Sequence, residues 1–116
     1  MYSITEQAVA WLDRLGFRAS TFPPTDAAEF VTVERTGGGV ESLADHPTVA
    51  VQAWAATEAR AEAMATEIRD AALVGPWPVG VTAMRVNSGP YRWYDEGTRM
   101  PRYQVLFDVT CISVEN

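Results

Sequence analysis

A strand that runs directly into a helix constrains this chain more than any other feature. Residues 48–74 read TVAVQAWAATEARAEAMATEIRDAALV. Over residues 48–54, Val49, Val51 and Ala53 share one face at period two, and Thr48, Ala50, Gln52 and Trp54 share the other. The period then changes. Ala61, Met64, Ala65, Ile68 and Ala72 recur at helical spacing and make one apolar stripe. Thr57 suits the N-cap, because its hydroxyl can accept from a free backbone N–H of the first turn. Glu58 favours the positive end of the helix dipole, and Arg69 lies near the negative end. Gly75-Pro76 stops the helix, since glycine takes the left-handed position and proline cannot continue. A stripe of alanine and methionine lets this helix approach a sheet closely, so its small residues read as core packing.

The remaining elements follow from local signals. Ser3 and Glu6 fit a capping box, and Ile4, Ala8, Trp11, Leu12 and Leu15 mark an apolar helical face that Gly16 ends. Residues 18–28, with Phe22-Pro23-Pro24, read as a connection. Residues 29–36 are rich in β-formers and read as the first strand. Gly37-Gly38-Gly39 breaks it, and residues 37–47 are expected to be a mobile loop ending at Asp45-His46-Pro47. Residues 81–86 read as a third strand and residues 87–101 as a long loop carrying Tyr91, Trp93 and Tyr94. Residues 102–114 alternate Tyr103, Val105, Phe107, Val109 and Cys111 against Gln104, Leu106, Asp108, Thr110 and Ile112. That is the cleanest strand signal in the chain. The expected fold is one α+β domain over residues 1–116, in the order α-β-β-α-β-β. Its four-stranded, mainly antiparallel sheet carries both helices, near 3–15 and 57–74, on one face.

Charge and composition narrow the function classes. The chain has 116 residues, enough to bury a core without a disulfide or a metal. Its formal net charge is −6, so nucleic acid should be repelled rather than held. Cys111 is the single cysteine and cannot form an internal disulfide, which points to a reducing compartment. No apolar run reaches the roughly 20 residues of a membrane span, and the opening MYSITEQ lacks a signal-peptide pattern. The expectation is a protein made in the cytosol, with no membrane partner.

Catalytic candidates are few. Asp45-His46 could serve as an acid–base pair with Cys111 as nucleophile. But His46 precedes a proline in a glycine-rich stretch, and Cys111 sits within an apolar strand face, where a thiol behaves as a small hydrophobe. One histidine makes a poor metal site, and Gly37-Gly38-Gly39 lacks phosphate-loop spacing. No catalytic residue, metal or cofactor is therefore expected. Arg85, Arg92, Arg99 and Arg102, with Tyr91, Trp93 and Tyr94 between them, could stack on bases. But Asp95 and Glu96 interrupt the run, and arginine and aromatics are also enriched at protein interfaces, the favoured reading. The expected interface residues are Gly37, Gly38, Gly39, Val40 and Glu41 in the first loop, with Arg92, Trp93, Tyr94, Arg99 and Arg102 around the second.

Three segments taken together carry a family resemblance: FVTVERTGG at 30–38, DHPTVAVQAWA at 45–55 and GPYRWYDEGTRMPRYQVLFDVT at 89–110. In this order they resemble tail terminator, or tail completion, proteins of long-tailed bacteriophages. The matching positions are Asp45 and Pro47, then Pro101, Arg102 and Tyr103. The resemblance implies a small structural subunit of a hexameric ring in the virion neck, assembled in the host cytoplasm. That ring would cap the tail tube protein, stop tube growth and meet the head–tail connector or stopper, with DNA passing through unbound. Other classes stay open at this point. They are another neck component such as an adaptor, a small enzyme using His46 or Cys111, and a cellular oligomeric ligand-binding module with an apolar pocket.

Overall fold

A computed structural model describes residues 2–41, 44–93 and 100–112. Helix α1 spans Ile4–Arg14. The Ser3 side chain caps it by accepting from the Glu6 N–H at 3.2 Å. Strand β1 is only Ala19–Ser20, β2 is Phe30–Glu41 and β3 is Ala44–Trp54. Helix α2, Glu58–Val74, begins at Thr57, whose hydroxyl accepts from Arg60 N–H at 3.2 Å, and ends at Gly75 with φ 79°. Strands β4, Val81–Arg92, and β5, Arg102–Ile112, complete the chain.

The sheet corrects the expected fold class. It has five strands in the order β1-β2-β3-β5-β4, and the element order is α-β-β-β-α-β-β rather than α-β-β-α-β-β. The sheet is mixed, because β1 runs parallel to β2 with Ala19 opposite Val31 and Ser20 opposite Thr32. Every other pairing is antiparallel. Two residues are too few to show a period, and a parallel partner distant in sequence leaves no local signal.

Two expected loops are also strands. Residues 37–41 pair with 44–48, so β2 and β3 form one long hairpin instead of flanking a mobile loop. Glycine weakens a strand but does not forbid it when the opposite strand supplies the hydrogen bonds. At Gly38, φ is +100°, and a Cβ there would run into the His46 carbonyl and Pro47 backbone. On the other edge β4 continues through Asn87-Ser88-Gly89-Pro90 to Arg92, with register shifts on either side of Ser88. Bulges absorb residues that a regular strand would reject.

One face of the sheet carries the core. Val31, Val33, Val49, Val51, Val105, Phe107 and Val109 pack in one cluster with Trp11 and Leu12 of α1 and with Met64 and Ile68 of α2. The α2 stripe Ala61, Met64, Ala65, Ile68 and Ala72 is buried throughout, as its spacing predicts. Trp11 ties α1 to the turn after α2 by donating from Nε1 to Pro76 O at 2.8 Å. The alternate residues of the same strands face away from this cluster and from both helices.

Candidate interaction surface

That second face holds an ordered polar row which the sequence reading did not single out. Thr32 lies opposite Gln52, Gln52 opposite Gln104, and Gln104 opposite Tyr91, so one rung crosses β2, β3, β5 and β4. Trp54 Nε1 donates to Thr32 Oγ1 at 2.9 Å, and Thr32 Oγ1 donates to Gln52 Oε1 at 3.3 Å. Gln52 Nε2 donates to Gln104 Oε1 at 2.7 Å, and Gln104 Nε2 donates to the Tyr91 hydroxyl. Indole N–H can only donate, so Trp54 fixes the sense of the whole row and hence both amide orientations. The row ends at the Tyr91 hydroxyl, which accepts from Gln104. Thr32 and Gln104 are buried, so each bond here stands against the cost of an unsatisfied group, about 1 to 3 kcal/mol.

Beside the row, flat side chains stack across the same strands. Phe30 stacks on Trp54 at 5.2 Å between ring centroids. The Arg102 guanidinium lies 4.3 Å from the Trp54 ring centroid and 6.0 Å from that of Trp93. Trp93 in turn stacks on Tyr91 at 6.4 Å. Arg102 is 8% exposed and Trp93 is 42% exposed, so the stack starts in the protein and finishes in solvent. A cleft of about 350 Å³ borders it, lined by Thr21, Pro23, Thr32, Gln52, Trp54 and Arg102 among others.

The expected interface residues fall into two separated groups. Gly37, Gly38, Gly39, Val40 and Glu41 belong to the hairpin end of β2, with Val40 66% exposed. Arg92, Trp93 and Arg102 lie at the other end of the strands, where Trp54 pairs with Arg102. Arg92 is held by Glu58 at 2.8 Å. Tyr94 and Arg99 lie outside the described residues. The body measures 42 × 27 × 25 Å, so the two groups mark opposite ends and do not form one patch.

The catalytic candidates separate as well. Asp45 and His46 are adjacent on β3, so their side chains leave opposite faces of the sheet. Asp45 accepts from Arg35 Nη1 at 2.6 Å and Nη2 at 2.8 Å. Those bonds hold its carboxyl below the usual range against the opposing effect of burial. His46 Nδ1 lies 3.2 Å from Thr110 Oγ1 on the open face. Cys111 is buried, and burial followed by the Asp45 charge pushes its thiol up, with Arg35 partly compensating. The thiolate is the nucleophilic form, so this environment quiets the sulfur. The Tyr2 hydroxyl, donating to Val79 O at 2.6 Å, is pushed up to about 12, first by burial and then by Cys111. Among the described residues no group of three or more His, Cys, Asp or Glu is placed to hold a metal.

Comparison with known families and with curated proteins finds no match to this chain. The register could have revealed the Thr32–Gln52–Gln104–Tyr91 row, but no local pattern encodes which residues of four distant strands stand opposite.

Proposed function

We propose that this chain is a structural ring subunit of a long-tailed phage, a tail terminator that caps the tail tube and meets the head connector. The ordered segments that resemble that family support the reading. The structural observation that carries it is a sheet with a helix-free face and a long open stretch on each side, in β4 and in the part of β2 beyond the two-residue strand β1. Of β2, only Val31 and Thr32 are paired with β1, so among the described residues, 33–41 have no strand on that side, and β4 has none on the other. Long open edges invite association, and a ring of copies removes them. Interface candidates at both ends of a 42 Å body suit a subunit that stacks between a tube and a connector. A net charge of −6 per copy suits a channel that DNA crosses without sticking.

This role uses no chemistry. His46 lacks an orienting carboxylate among the described residues, and Cys111 is buried, with the Asp45 charge pushing its thiol further up. The mass of the purified protein tests the ring directly. Six copies are expected, and a chain that stays monomeric at micromolar concentration would end this reading. A second test uses variants. His46→Ala and Cys111→Ser should both support tail assembly, with at most a modest stability loss at position 111. Failure of well-folded His46→Ala to build tails would show that the histidine has a chemical task.

A further inference from the structure

Building on the ring reading above, we propose that neighbouring copies join by antiparallel pairing of β2 with the next copy's β4, in a register that sets Glu34 against Arg85. Backbone direction fixes which groups are free. Val31 N–H points outward to Arg18 O at 2.8 Å. By period two, Val33 and Arg35 also present their N–H and C=O outward, while those of Glu34 face β3. On the other edge Ile112 N–H reaches Gly80 O at 3.3 Å, so Asp108, four residues earlier, also addresses β4. Arg85 stands opposite Asp108 and spends its backbone groups inward. Met84 and Val86 are left presenting theirs outward.

These parities match. Glu34 and Arg85 both turn backbone groups inward and both carry side chains on the open face. They can therefore meet as a non-hydrogen-bonded pair, the closer type for side chains. Their neighbours then supply the rungs, Val33 with Val86 and Arg35 with Met84. The charges are opposite, both residues are exposed, and neither has an ion pair within the described residues.

Irregularities on the two edges coincide in the same register. The β2 register shifts between Arg35 and Gly37, and β4 shifts between Val81 and Ala83, so both strands break regularity beyond the Arg35–Met84 rung. In the other direction β4 shifts between Val86 and Ser88. That is where the neighbour would run into β1, which already occupies Val31 and Thr32. Chain sense agrees too. β2, β3, β5 and β4 alternate in direction, so a copy related by rotation about an axis along the strands presents β4 antiparallel to β2. The pairing offsets the copies along the strands, as a tilted closed sheet requires.

Charge reversal tests the register. Glu34→Arg or Arg85→Glu alone should raise the dissociation constant between copies about fivefold per interface, because like charges then face each other. The doubly reversed protein should recover most of this loss, and the effect should shrink in high salt. A second measurement uses cysteines. Glu34→Cys with Arg85→Cys, oxidised, should give a ladder of covalently linked chains on a non-reducing gel, up to the closed ring. A dimer from Glu34→Cys alone would show β2 meeting its own copy and would overturn the proposal. So would a six-copy parent ring with neither crosslinks nor any response to charge reversal, although the ring itself would then stand. A parent that is monomeric throughout would overturn both.

Discussion

Arg35 and Asp45 show how one ion pair can steady an exposed hairpin. Arg35 also donates from Nε to Gly37 O at 3.2 Å, so the same guanidinium holds the carboxylate and the bulge. The carboxyl of Asp45 is lowered chiefly by these bonds from Arg35. A group whose folded pKa is depressed adds stability above its unfolded pKa, about 3.9 for aspartate. That contribution is lost as pH falls through the folded value. Arg35 is 35% exposed, so solvent screens the pair and its worth is about 1 kcal/mol or less. Arg35→Ala should therefore be less stable than the parent at pH 7, and urea melts should show the gap closing below pH about 4. A gap of constant size would mean that packing of the arginine stem, and not its charge, matters. Sequence reading found Asp45 and placed it beside His46. It could not see that strand alternation sends the two to opposite faces, because that stretch reads locally as a glycine-bounded loop.

At the level of elements, helix α2 rests its whole apolar stripe on the sheet. Ile68 has no exposure at all. Ile68→Asp would set an unpaired carboxylate against Val and Phe side chains, at a cost of about 3 kcal/mol or more. Denaturant unfolding should show this as a large fall in midpoint, and a parent-like midpoint would mean that the stripe is not buried. This helix was legible within a residue or so, because caps and 3.6-residue spacing are local signals. The start of β5 and its alternation were equally plain for the same reason. The hairpin end of β2 and the continuation of β4 were not. Their sequences, Gly37-Gly38-Gly39 and Asn87-Ser88-Gly89-Pro90, carry turn chemistry, and only a neighbouring strand makes them extended. β1 was missed because what makes it a strand is a parallel pairing with a strand that comes later in the chain. The interface candidates were chosen for glycine freedom and for aromatic and arginine content. That choice includes Trp93 and Arg102, two members of the stack, but gave no hint of the row from Trp54 to Tyr91.

Across the whole molecule, the two ends should behave as separate units. Gly38 and Trp93 lie at opposite ends of long paired strands, with no shared partner among the described contacts. Gly38→Ala forces a side chain into positive φ against the His46 carbonyl and should cost the subunit about 1 to 3 kcal/mol. Trp93→Ala removes a half-exposed ring from the outer end of the stack and should barely change unfolding of the isolated subunit. Instead it should weaken association by about 2 kcal/mol, the signature of an interface anchor. Distant sites without common partners add, so unfolding of the double variant should equal the sum of the singles within about 0.5 kcal/mol. Chemical denaturation of all four proteins, paired with their masses in solution, separates the outcomes. Strong non-additivity would mean that the sheet couples its ends. If Trp93→Ala lowered subunit stability and left the assembly intact, Trp93 would be a lid over Arg102 and Tyr91, and the contact surface would lie elsewhere.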